Sequence, residues 1–211
     1  MKTQTILFLL LIATLGVQNL NAQSLRGNLE KNVENITEQI NTLSKEKITE
    51  LDQVALKIYE TTLNKDNGGV VFIDKLNTQT SQLAMIWLNT ALMYYDINIK
   101  AYSAGIEANK NIPITHLSSL KKAGFTVKPA NMRNPNNYWI GYNRSGSWLV
   151  FTKTLLEINT SPENTVNIIV DDTEVDEYRT SIKLTFSNDS DLPLHMVHLA
   201  TQINYLIKNK I

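Results

Sequence analysis

Residues 70–95 decide the fold and read VVFIDKLNTQTSQLAMIWLNTALMYY. The apolar run 70–73 has the length of a buried strand and ends in a polar loop, 74–81. From Ser81, placed as the N-cap, apolar residues recur at helical spacing: Leu83, Ile86, Trp87 and Met93. A strand, a loop and a helix in this order form the unit of an α/β sheet, in which ligands bind at the carboxyl ends of strands. The loop 74–81 is therefore the first place to expect chemistry.

More α/β elements are predicted downstream. Residues 101–107 read AYSAGIE and predict a second strand, and residues 117–122 predict a short helix. The run VNIIV at 166–170 predicts a further strand, as does LTF at 184–186, and residues 195–207 predict the closing helix. We expect a small central parallel sheet with helices on both faces, an α/β/α arrangement of three layers.

Two regions surround this frame. Residues 23–67 predict an N-terminal helical hairpin, with Ser44 as the N-cap of its second helix. Residues 129–137 are rich in Pro and Asn and predict turns. Strands at 138–142 and 147–151 then predict a β-hairpin, whose aromatic residues either line a groove for a ligand ring or pack as its buried face: Tyr138, Trp139, Tyr142 and Trp148.

The first 22 residues have the features of a secretory signal peptide. Lys2 supplies the positive charge, 6–17 the apolar core, and Leu20-Asn21-Ala22 a small-residue cleavage site. The core is short for a membrane span, which needs about 20 apolar residues, and an uncleaved anchor is the alternative. We therefore expect an exported protein, periplasmic or extracellular, with no stable membrane span after cleavage and with domains at 1–22, 23–67 and 68–211.

The composition excludes several functions. Lys and Arg number 20, as do Asp and Glu, so no net charge recruits nucleic acid. The chain contains 0 Cys, which excludes disulfides, thiolate metal sites and a thiolate nucleophile. Neither a Gly-x-Ser-x-Gly motif nor a glycine-rich phosphate loop is present.

The frame resembles the low-molecular-weight protein tyrosine phosphatases and the arsenate reductases built on the same fold. In that family the loop carries Cys first and Arg six positions later, usually followed by Ser. The corresponding positions here are Asp74 for Cys, Asn77 for the loop Asn, Thr80 for Arg and Ser81 for Ser. The segment 101–106 is similar to the family's second strand, Tyr-Ser-Ala-Gly-Thr-Glu, and the likeness is good as far as Phe125.

The resemblance implies a phosphotyrosine protein phosphatase I-like fold with a degenerate phosphate loop: Asp74, Lys75, Asn77, Thr80 and Ser81. It implies a general-acid position at Asn188 or, one residue later, Asp189. The family mechanism requires a thiolate, and its Arg binds the phosphate bidentately, so this chain lacks both catalytic groups. We expect no catalytic residue and no cofactor, and a pseudoenzyme that binds an unidentified protein or small molecule.

An alternative is a metal-dependent phosphatase. The segment 71–78 also resembles the first motif of the haloacid-dehalogenase-type phosphatases, in which a strand-end Asp is the nucleophile. In that interpretation Asp74, Asp171 and Asp172 hold Mg²⁺ through oxygen ligands. That family has a second acid where Leu76 stands here. The histidines add little, although His195 and His198 are spaced to share a ligand on one helix.

Overall fold

The computed structural model describes residues 24–131, 133–172, 181–186 and 188–210. Four parallel strands form the central sheet: β1 (Gly69–Asp74), β2 (Ala101–Gly105), β6 (Thr165–Ile169) and β7 (Ser181–Lys183). Their order is β2-β1-β6-β7, and β1 pairs with β2 from Val70 opposite Ala101 to Asp74 opposite Gly105. Every residue of β1 is buried, as its continuous apolar sequence predicts for a central parallel strand.

Helices flank this sheet. They are α1 (Gly27–Thr37), α2 (Lys45–Thr62), α3 (Thr80–Tyr94), α4 (Leu117–Lys122) and α5 (Leu192–Asn209). Val70 and Phe72 of β1 belong to the same buried cluster as the apolar residues of these helices. Val71 and Ile73 face the other side, where Leu155 of the 3₁₀ helix Leu155–Glu157 packs on them. The expected α/β class with a central parallel sheet flanked by helices is confirmed.

The N-terminal helices pack onto the sheet domain. Leu29 and Val33 of α1, and Leu51 and Ile58 of α2, are fully buried in the main core. Ser44 caps α2 as predicted, because its side chain accepts the N–H of Lys47 at 3.2 Å. The domain boundaries at 22 and 67 stay predictions, and the signal segment lies outside the described residues.

A second, antiparallel sheet has the order β3-β4-β5, formed by β3 (Thr126–Asn131), β4 (Asn134–Gly141) and β5 (Ser147–Val150). The predicted hairpin corresponds to β4 and β5. The prediction of turns across 129–137 is wrong, since β3 and the start of β4 occupy most of it. β3 is an edge strand, where the missing N–H of Pro129 is tolerated, and its pairing with β4 shifts register between Pro129 and Asn131.

The strand predicted at 184–186 is also wrong. The pairing with β6 runs through β7 instead, three residues earlier, and ends where the N–H of Leu184 donates to Ile169 O at 2.8 Å. Leu184 is fully buried because it enters the core directly after the strand. Within the described ranges, no helix is long and apolar enough to cross a membrane.

Candidate functional site

Asp74 ends β1 and fills the loop that follows it. Its side chain is 6% exposed. One carboxylate oxygen accepts the backbone N–H of Asn77, and the other accepts the backbone N–H of Ser81 at 2.9 Å. Ser81 lies in the first turn of α3, which begins one residue earlier at Thr80, so the predicted N-cap role of Ser81 is wrong. The carboxylate thus occupies N–H groups that the start of a helix would offer to an anion.

Burial raises the pKa of Asp74 above that of an ordinary carboxyl group. The hydrogen bonds from Ser81 and Asn77 lower the pKa in opposition, and the negative charge of Asp171 adds to the increase. The charged form is therefore costly at this position, and the loop N–H groups offset part of that cost.

Asn77 fixes the loop backbone in place. It is fully buried and has a φ of 55°, a left-handed conformation that Asn adopts more readily than most residues. Its amide nitrogen donates to Ser81 Oγ at 2.8 Å, and its amide oxygen accepts the N–H of Lys153 at 3.1 Å. Its carbonyl accepts the side chain of Gln82 at 2.6 Å. The residue ties the loop to α3 and to the segment after β5.

The loop also packs directly on the end of β2. A Cβ added to Gly105 would lie 2.8 Å from both Asn77 N and Leu76 C. The N–H of Ile106 donates to Asp74 O at 3.1 Å, and the N–H of Glu107 donates to Lys75 O at 2.8 Å. Only glycine fits at position 105 without moving the loop.

A polar cluster of Gln79, Thr80, Thr115 and Asp189 holds the start of α3 to the 3₁₀ helix Asp189–Asp191. Thr80 Oγ1 donates to Asp189 at 3.0 Å, and the side-chain amide of Gln79 donates to the other carboxylate oxygen. Thr115 Oγ1 donates to Gln79 Oε1 at 2.7 Å. Thr80 stands at the position where the resembled family has Arg. Its hydroxyl therefore makes a hydrogen bond within the protein, to Asp189.

Of the two predicted general-acid positions, Asp189 is the one that reaches the loop. Asn188 instead caps the 3₁₀ helix, with its side-chain oxygen accepting the N–H of Ser190 at 3.0 Å. Lys75 directs its amine away to an exposed pair with Glu107 at 3.5 Å.

The three aspartates of the predicted metal site each contact other groups. Asp171 accepts the backbone N–H of Lys75 at 2.9 Å, and the exposed Asp172 lies 3.3 Å from Lys183 Nζ. Across the described residues, no group of three or more His, Cys, Asp or Glu side chains is arranged to hold a metal ion. Asp74 and Asp171 are neighbours, but the structure does not bring all three carboxylates into one such group.

Two buried ionisable residues lie beside the loop, and the sequence patterns do not predict a role for either. His116 is 5% exposed, and neither ring nitrogen has a partner in hydrogen-bonding geometry. Burial lowers its pKa to about 4, against opposing effects of the Thr78 backbone and Asp189. Lys153 is 8% exposed, with its amine 4.7 Å from the centre of the Phe151 ring, and burial lowers its pKa to about 8. Nothing in their sequence context distinguishes them from surface residues.

His195 and His198 have separate partners. His198 Nε2 lies 2.8 Å from an Asp52 carboxylate oxygen, whereas the ring of His195 packs at 5.4 Å from that of Phe186. The three-residue spacing on α5 therefore does not produce a shared ligand site in this arrangement.

The hairpin aromatics divide between two surfaces. Tyr142 and Trp148, with ring centres 4.4 Å apart, line a cavity of about 450 Å³. Tyr138 is half-buried against the main core, and Trp139 is 41% exposed. The cavity contains two of the four aromatic residues predicted to line a groove.

No family model matches the chain. No curated protein matches it either. Among solved structures, it is similar to the thioredoxin-dependent arsenate reductase of Corynebacterium glutamicum, with 18% identity, a TM-score of 0.43, and coverage of 73% of this chain and 69% of that one.

Proposed function

We propose that this protein is an exported, catalytically inactive relative of the low-molecular-weight phosphatases and arsenate reductases, and that it acts by binding. One observation carries the proposal: both oxygens of the Asp74 carboxylate accept backbone N–H groups of the loop, from Asn77 and Ser81. The loop holds its own anion where the resemblance would place a substrate oxyanion.

Electrostatics support an inactive loop. A phosphate or arsenate placed about 4 Å from the Asp74 carboxylate would meet repulsion of about 4 kcal/mol for each unit of its negative charge, at an effective dielectric of about 20. The N–H groups that would offset this repulsion already bind Asp74. Thr80 has no guanidinium to supply the missing positive charge, and its hydroxyl donates to Asp189.

The available nucleophiles support the same conclusion. The chain has 0 Cys, so thiolate chemistry is excluded. Asp74 is the remaining nucleophile on this strand end, but its two oxygens are directed at N–H donors of its own loop. Export rests on the charged, apolar and small-residue regions of residues 1–22.

The test is an assay of purified protein with p-nitrophenyl phosphate, in parallel with Mg²⁺ and with EDTA. We expect the wild type and Asp74→Asn to give the same background rate under both conditions. Asp66→Asn serves as the matched control, because Asp66 is exposed and the substitution removes the same charge.

Mg²⁺-dependent turnover that is lost in Asp74→Asn and kept in Asp66→Asn would overturn the proposal. It would establish the metal-dependent phosphatase alternative, with Asp74 as nucleophile. Loss of the same turnover in Asp171→Asn and Asp172→Asn would then identify the metal ligands.

A further inference from the structure

A cavity of about 450 Å³ lies at the amino-terminal end of β2, beside the end of α3 and away from the Asp74 loop. α1, the end of α3, the segment leading into β2, and the β4–β5 hairpin all contribute to its lining. Small-molecule sites are commonly clefts of about 300–1,000 Å³. The cavity is therefore large enough for a compact organic ligand.

Three aromatic residues line it: Tyr94, Tyr142 and Trp148. All three are half-buried, so the protein holds their rings in place. Trp148 packs between Tyr142, at 4.4 Å between ring centres, and Phe125, at 6.5 Å. The electron-rich faces of Trp and Tyr attract cations within about 6 Å.

The charges around the cavity favour a cation as well. Among the described lining residues, two are acidic, Glu30 and Asp96, and one is basic, Lys100. The pKa of the Tyr94 hydroxyl is raised, first by burial and then by the negative charges of Glu34 and Glu30. Glu30 and Glu34 therefore place negative charge beside Tyr94 on the α1 side of the cavity.

We propose that this aromatic cavity, lined by Glu30, Tyr94, Asp96, Tyr142 and Trp148, binds a small organic cation with a quaternary or alkylated ammonium group. The ring faces contact the alkylated nitrogen, and the carboxylates neutralise its charge. An anionic ligand would meet the acidic residues, and a neutral ligand of the same shape would lose the attraction to the rings. Binding in this cavity does not depend on the state of the Asp74 loop.

Choline and its neutral isostere 3,3-dimethylbutan-1-ol separate charge from shape. Both are titrated into the purified protein in a calorimeter. We expect choline to bind and the isostere to bind at least about tenfold more weakly, because the isostere lacks the charge that the rings and carboxylates recognise. Equal affinity, or no binding of choline up to about 10 mM, would overturn the proposal.

Two pairs of variants place the binding in this cavity. Glu30→Gln should weaken choline binding about three- to fivefold, whereas Glu38→Gln, the same change on an exposed residue just after α1, should not. Trp148→Leu should weaken it about tenfold, whereas Trp139→Leu on the exposed side of the hairpin should not. Melting temperatures report whether Trp148→Leu still folds, and the Glu30 pair decides the outcome if it does not. Equal effects within the Glu30 pair would overturn the assignment.

Discussion

The Asp74 loop and the aromatic cavity lie at opposite ends of the same parallel sheet, and their polar groups are used differently. In the loop, the carboxylate of Asp74 and the side chain of Asn77 bind groups of the protein itself. The cavity, in contrast, is lined by two acidic residues, Glu30 and Asp96, together with aromatic residues. The position that an α/β fold usually reserves for ligands is filled from within, while room for a ligand lies at the other end.

The largest expected effect comes from removing the anion that fills the loop. Asp74→Ala leaves the N–H groups of Asn77 and Ser81 without their acceptor, although it also removes the cost of burying a charge. We expect the free energy of unfolding to fall by about 2–4 kcal/mol, measured by urea denaturation at pH 7. Asp66→Ala on the exposed surface should change it by less than about 0.5 kcal/mol.

Inorganic phosphate tests whether the Asp74 carboxylate takes the place of a bound anion. If Asp74 occupies an anion site, phosphate should raise the free energy of unfolding of Asp74→Ala by about 1 kcal/mol and leave that of the wild type unchanged. Chloride at matched ionic strength is the control. A small loss in Asp74→Ala with no phosphate effect would mean that the carboxylate does not hold the loop together.

The next largest effect is pH-dependent and involves His116. Its folded-state pKa of about 4 lies below the ordinary value of 6.5, so the folded protein binds this proton less readily than the unfolded chain. Its contribution to stability is complete above pH 6.5 and is lost as the pH falls toward 4. We expect the contribution of His116 to the free energy of unfolding to fall by on the order of 2 kcal/mol between about pH 7 and pH 5.

His116→Gln removes the titrating ring and should flatten this part of the curve of unfolding free energy against pH. His195→Gln provides the comparison at a buried histidine of α5, whose pKa is also lowered, mainly by burial. An unchanged acid slope in His116→Gln would show that the ring is not buried in its neutral form beside the loop.

A moderate effect is expected where the loop touches β2. In Gly105→Ala the new methyl group would press on backbone atoms of Leu76 and Asn77, which cannot rotate away. We expect a loss of about 1–2 kcal/mol in the free energy of unfolding. Gly27→Ala is the matched control, because a Cβ there meets nothing within 4 Å and Ala favours the start of α1. If both substitutions were neutral, the loop would be free to move off the sheet.

Much of the frame around the loop could be predicted, because local sequence determines it. The unbroken apolar run at 70–73 requires burial on both faces, and this places β1 in the centre of the sheet. The Ser44 cap and the β4–β5 hairpin also depend on nearby residues. The sequence pattern does not locate β7, because the buried apolar residue of that region, Leu184, follows the strand instead of lying in it.

The contents of the site could not be predicted in the same way. Asp74 bonds to Ser81, seven residues away, only because the loop curls back over the strand end. Asp189 meets Thr80 across 109 positions of the chain, and the cavity joins α1 to the hairpin. Such contacts depend on how distant elements pack, and no single stretch of sequence encodes them.

The smallest expected effect concerns the polar cluster at Asp189. Asp189→Asn weakens the oxygens that accept hydrogen bonds from Gln79 and Thr80. Because the position is partly exposed, we expect the free energy of unfolding to fall by less than about 1 kcal/mol. Asp191→Asn removes the same charge from the same 3₁₀ helix at the start of α5, so a general effect on that helix end would appear in both variants.

Amide hydrogen exchange distinguishes the two variants better than stability does. The N–H groups of Asn77 and Ser81 should exchange faster in Asp189→Asn than in Asp191→Asn, because Asp189 holds the first turn of α3 to the start of α5. If exchange at both amides were the same in the two variants, Asp74 alone would close the loop. The contrast with the aromatic cavity would then depend on a single carboxylate, and one substitution would suffice to open an anion site at the carboxyl end of the sheet.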